Sequence, residues 1–134
     1  MAGAAAGGGL AISAAVAMRD ENEALPAGIV CISPWADLTM SGETVSTCSK
    51  TDPLISLETS LIHAGRYAGD KDPASPHISP VFADMSGLPA LRIQTGEQEI
   101  LRSDSQLLSE NARQAGVENT LEIWEGRWHV WHMY

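Results

Sequence analysis

The chain has 134 residues, enough for one domain with a real core and too few for two. Its formal net charge of −9 leaves only eight basic residues, scattered from Arg19 to Arg127 without a basic run. Binding phosphates needs clustered Lys and Arg, so the composition argues against a nucleic-acid partner.

Residues 1–18 are almost free of polar side chains, but they are mostly Ala and Gly, and the first basic residue is Arg19. A signal peptide needs a positive start, and a membrane helix needs a long run of Leu, Ile, Val and Phe, so neither is expected. After Gly7-Gly8-Gly9, the Ala-rich run Leu10 to Met18 predicts a closely packed helix, stopped by Pro26. Residues 28–33 form a short apolar run closed by Pro34, the pattern of a parallel strand covered on both faces. Cys31 in that run reads as a buried thiol. Cys48 is too distant for a paired motif, so a reducing, cytoplasmic compartment is expected.

Residues 36–85 change character. They hold most of the prolines and one predicted helix, residues 56–67, with Ser56 as its cap and Glu58 in its first turn. Pro73, Pro76 and Pro80 then break the chain, which marks an excursion from the sheet. Alternation resumes over residues 88–95, with Leu91 and Ile93 facing one way, and Gly96 ends this second strand. Ser103 and Gln106 carry the spacing of a capping box, opening a helix that stops at Gly116. A third strand spans residues 120–124, and the loop Glu125 to Trp128 leads to His129. The fold class is therefore α/β with a parallel sheet. It reads as a single domain over 1–134, in three stretches: 1–35, 36–85 and 86–134.

Three places carry chemistry. No Lys-Ser/Thr pair follows the glycines, which removes a phosphate loop. Gly3-Ala4-Ala5-Ala6-Gly7 instead has the frame of a nucleophile elbow, G-x-S-x-G, with Ala5 in place of the serine. Glu97 and Glu99 follow the second strand, at the sheet edge where α/β proteins place their ligands; acidic residues there also favour the start of a helix. His129 and His132 follow the third strand, either as structural histidines or as catalytic ones. With Glu125 they lack the spacing of a metal site. The order of elbow, acid and histidine is that of the α/β-hydrolases.

At this point the sequence resembles the hormone-sensitive-lipase-like esterases. GAAAGGGLA at residues 3–11 resembles their GDSAGGGLA, and Ser33 to Thr39 resembles their SPW-x-DLT segment. Asp52-Pro53-Leu54, the run from Ser75-Pro76 to Leu88-Pro89, and WEGRWHV at residues 124–130 match further motifs in order. The resemblance implies the C-terminal half of an α/β-hydrolase, about three parallel strands with flanking helices. It implies hydrolysis of short-chain carboxylic esters without a cofactor or metal. A small-molecule ester is then the partner, not nucleic acid or a membrane.

By the match, Ala5 stands at the nucleophile, Ala6 at the oxyanion-hole amide, His129 at the general base and Gln98 at the usual acid. Gln98 carries no charge, so Glu99, or less favourably Glu97, is the substitute acid. Ala5 has no oxygen for attack, and Ala4 replaces the usual aspartate. The family's HGGG loop is missing from the sequence. An inactive chain is the expectation, with a non-catalytic interaction or ligand-binding module as the alternative. The strand at Gly28 is expected to expose an apolar edge, for self-association or for pairing with an N-terminal half.

Overall fold

Four short parallel strands carry this fold, and the computed structural model describes residues 1–134. They are β1 (Ala2–Ala4), β2 (Gly28–Ile32), β3 (Ala90–Gly96) and β4 (Asn119–Trp124), paired in that spatial order. Register runs across the sheet from Gly3 to Cys31, Cys31 to Ile93 and Ile93 to Leu121. Between the strands lie α1 (Ala6–Asp20), α2 (Glu43–Thr47), α3 (Leu57–Ala68) and α4 (Arg102–Gln114). Short 3₁₀ turns occupy Pro80–Phe82 and Trp131–Met133.

The fourth strand was not expected. β1 is three residues of Ala and Gly, a composition with no strand preference of its own. Its partner makes it a strand. The N-terminal ammonium donates to the Gly28 carbonyl at 2.9 Å, and the amides of Val30 and Ala5 donate to Met1 and Ile32. Consequently β2 is an inner strand, and the open edge expected at Gly28 belongs instead to β1, with β4 at the opposite edge.

The core lies on one face of the sheet. Ile29, Cys31, Leu91 and Ile93 meet Ile12, Ala15 and Val16 of α1, with Leu108 and Ala112 of α4. Burial of this apolar surface is the main source of stability. Burial also pushes the Cys31 thiol up to about 12, so it stays protonated. The other face is not covered as the apolar run at β2 suggested: Val30 is 39% exposed, beside an exposed Arg92–Glu122 ion pair. A run of apolar residues cannot by itself say how many faces are covered.

Helix ends show where local rules hold and where tertiary contacts override them. Ser56 caps α3 by accepting from the Thr59 amide. Gly116, at φ +73°, follows α4; the Val117 amide returns to the Ala112 carbonyl at 2.8 Å and the Gly116 amide to Arg113. That pair of bonds is the Schellman stop, and it needs the left-handed turn glycine adopts freely. At its other end α4 starts at Arg102, so Ser103 is not its cap. Its hydroxyl accepts from the Thr44 amide at 2.7 Å instead, a long-range partner displacing the local one. α1 likewise begins at Ala6 rather than at Leu10, through three glycines that disfavour helix.

Within residues 36–85, α2 was not foreseen, because its five residues are too few to show a period. A second cluster, Met40, Val45, Cys48, Ile100 and Leu101, ties this stretch to the segment after β3. No helix is long and apolar enough to cross a membrane.

Candidate active site

The chain turns sharply from β1 into α1 at Ala5, which sits at φ 51° and ψ −124°. A residue with a side chain pays about 1–3 kcal/mol for such a conformation and keeps it only when its surroundings insist. Here they do. The Ala5 amide donates to Ile32 at 2.9 Å, and its carbonyl accepts from Gly8 and Trp35, each at 2.9 Å. The turn is also tight at its base: a Cβ on Gly3 would stand 2.1 Å from the Gly7 carbonyl oxygen. The second flanking glycine is different, since a side chain at Gly7 would meet nothing within 4 Å.

The segment after β3 is pressed against the histidine loop. A Cβ on Gly96 would lie 2.3 Å from the Arg127 carbonyl oxygen, so only glycine permits that approach. Glu99 then enters the interior, fully buried. Its Oε2 lies 3.0 Å from Nδ1 of His129, while Oε1 accepts from the Ser33 hydroxyl and the Gly96 amide, each at 2.6 Å. A buried carboxylate requires such partners.

Gln98 does not reach His129. Its amide donates to Arg127 at 3.0 Å and its carbonyl accepts from the Thr51 hydroxyl. Its backbone is held there, and the carboxylate that meets the imidazole is Glu99, one residue later than the position the motif alignment gave for the acid. Glu97 is exposed and accepts from the Gly126 amide at 3.0 Å. Among the three, only Glu99 meets the imidazole. His132 goes elsewhere: its Nε2 lies 3.1 Å from the Gln94 side-chain oxygen, against Trp131.

His129 is itself buried, and with Nδ1 on Glu99 its Nε2 is left for a reacting group. It lines a cavity of about 240 Å³ together with Ala5, Ala6, Trp35, Leu54 and Ile55. As the first residue of α1, Ala6 has no carbonyl a turn earlier to take its amide. An adjoining cavity of about 490 Å³ shares Ala6, Trp35 and His63, and adds the apolar Leu10, Tyr67 and Ile78. Residues 36–85 thus contribute half of the lining, chiefly through α3 and the loop before it.

Two further carboxylates position this wall: Asp52, which the sequence showed only as part of a motif, and Asp104, to which it gave no role. Asp52 accepts from Leu54 and Ile55 through one oxygen and from Ile100 through the other, all at 3.0 Å. An Asp two residues before an amide it can reach is the Asx-turn signal that could have revealed it. Asp104, in the first turn of α4, accepts from the Ala36 and Asp37 amides at 2.8 and 2.9 Å. Burial pushes its carboxyl up to about 7, against the pull of those two bonds and with added repulsion from Asp37.

The sign follows from proton counting. Between about pH 4 and 7 the folded chain keeps a proton on Asp104 that the unfolded chain has lost, so stability falls as pH rises. Asp104→Asn keeps an oxygen for both amides and removes the titration. Urea unfolding is expected to show this variant gaining on the unaltered chain by on the order of 2–4 kcal/mol across that window. A parallel pair of stability curves would contradict the burial cost.

Known proteins share this fold. A family model described as alpha/beta hydrolase fold matches residues 1–133. An acetyl-hydrolase of Streptomyces hygroscopicus is 42% identical over the whole chain, and an esterase of Acinetobacter venetianus is 33% identical. In both cases the chain spans 45% of the relative's length. Among solved structures, a hormone-sensitive lipase from a metagenome library is 41% identical with a TM-score of 0.97, over 99% of this chain and 46% of that one. An esterase of the bacterial hormone-sensitive lipase family is 43% identical with a TM-score of 0.95, over 97% and 44%. The sharp turn at Ala5, the Glu99–His129 pair and these likenesses lead to one assignment: the chain belongs to the α/β-hydrolase fold family and is similar there to part of the hormone-sensitive-lipase esterases.

Proposed function

We propose that this is the site of a hydrolase of short-chain carboxylic esters in which Ala5 occupies the nucleophile's place, so that the chain does not turn them over. The observation that carries the reading is the shared cavity: Ala5, in a strained turn, and His129, backed by Glu99, line it together. The relatives named acetyl-hydrolase and esterase point to the same substrate class.

The roles follow from the chemistry. A hydroxyl at residue 5 would pass its proton to Nε2 of His129 and attack the ester carbonyl. The oxyanion would accept from the Ala6 amide, at the positive end of α1. The imidazolium would then protonate the departing alcohol, and water would repeat the sequence to release the acid. Glu99, acting on Nδ1, holds the ring and stabilises its charged form. No cofactor enters these steps. A methyl group at residue 5 stops the first of them, which is why we expect the chain to be inactive as it stands.

The test is hydrolysis of p-nitrophenyl acetate by the unaltered chain and by Ala5→Ser, beside a blank. Activity confined to the serine variant supports the reading. Equal activity in both chains would defeat it.

We place association, with a second copy or with an N-terminal half, at the outer edge of β1, which presents unpaired backbone groups. Light scattering is expected to report a mass above the monomer. A clean monomer would contradict this assignment.

A further inference from the structure

Three segments meet at one oxygen that the proposed chemistry does not use. Ser33 stands where β2 ends, fully buried, at φ 48°. Its amide donates to the Gln94 carbonyl at 2.7 Å, which fixes the residue between β2 and β3 in a conformation serine disfavours. The hydroxyl donates to Oε1 of Glu99 at 2.6 Å and accepts from the Val130 amide at 3.1 Å. Val130 follows His129 directly and is also in the left-handed region, at φ 49°. For a β-branched residue that is a costly backbone, and something must hold it.

We infer that Ser33 is a positioning residue for the acid–histidine pair, its hydroxyl locking the rotation of the Glu99 carboxylate and the loop that carries His129. The inference rests on the reading of Glu99 and His129 given above. A carboxylate can rotate about its last bond, and which oxygen faces the imidazole depends on what holds the other. Oε1 takes two donors, from Ser33 and Gly96, and Oε2 is thereby turned toward Nδ1. The same hydroxyl satisfies a backbone amide next to the histidine, so acid and base are referenced to one point at the sheet edge. Removing the oxygen would leave Oε1 with one donor and the Val130 amide without its partner. The ring would keep its place in the fold but lose the constraint on where its proton sits.

That distinction makes the test specific. Nitrogen-15 imidazole spectra of the unaltered chain, recorded where the ring is neutral, are expected to show His129 as a single tautomer, with the proton on Nδ1. In Ser33→Ala we expect a mixture of tautomers and exchange of that proton faster by at least about tenfold, while the backbone spectrum away from the site is kept. Ser33→Cys keeps a weak donor and should fall between the two. If Ser33→Ala does not fold, the cysteine variant decides alone: exchange several-fold faster than in the unaltered chain supports the inference, and an unchanged rate overturns it. An unchanged tautomer and rate in a folded Ser33→Ala also overturns it, leaving the Glu99–His129 pair intact. Absence of the Nδ1 proton in the unaltered chain would overturn the pair as well.

Discussion

An Ala5→Ser chain is expected to hydrolyse p-nitrophenyl acetate about a thousandfold faster than the unaltered chain. Loss of the nucleophile costs on the order of a millionfold in a serine hydrolase whose site is otherwise assembled. Against that stands the oxyanion hole. Only the Ala6 amide is assigned to it in this chain, and each missing donor takes back about 10²–10³ in turnover. The remainder, about 10³, is the expected gain. The variant needs little rearrangement, because residue 5 is already held at φ 51° by bonds to Ile32, Gly8 and Trp35. A serine would inherit the strain that alanine now bears. Initial rates with both chains at equal concentration measure the ratio, and a ratio near one would refute the placement of the nucleophile.

In the serine background, Glu99→Gln is expected to lower kcat by about 10²–10³, removing most of the gain that the serine brings, while Gln98→Ala changes it by less than about twofold. The geometry explains why an uncharged isostere should do so much harm. Ser33 and Gly96 both donate into Oε1, so the oxygen of a glutamine must take that side and its NH₂ must face His129. An NH₂ there can only donate, which leaves Nδ1 without a proton and puts it on Nε2, where it blocks the general base. A fixed wrong tautomer of this kind drops turnover by about 10⁴ in the well-studied Ser-His-Asp case. The reverse pattern, with Gln98 sensitive and Glu99 tolerant, would return the acid to the position the motif alignment chose.

That one-residue difference shows how far a sequence can be read. The alternating α/β order was legible because each strand after the elbow is an apolar run between breakers, and because Gly116 and Ser56 obey local rules. β1 was not, since Ala2, Gly3 and Ala4 become a strand only through β2. The capping-box spacing at Ser103 was legible but misleading, because Thr44 offered its hydroxyl a better partner. At the site, His129 and Ala5 could be named from motif frames. Which of Glu97, Gln98 and Glu99 turns inward depends on the close approach of Gly96 to Arg127, a contact between segments 31 residues apart in numbering and invisible to spacing. Ser33 was legible only as the first residue of the SPW-x-DLT match, which gives it no role. Its role exists only where β2, the acid turn and the histidine loop converge.

The most direct measurement uses diethyl p-nitrophenyl phosphate, which transfers a diethylphosphoryl group to an activated serine and releases p-nitrophenolate. Peptide mass analysis is expected to find one such group at residue 5 of Ala5→Ser, none on the unaltered chain, and none when His129→Ala is added. Equal labelling of the unaltered chain, or a label on the serine variant at any residue other than 5, would contradict the claim that Ala5 stands where the nucleophile belongs.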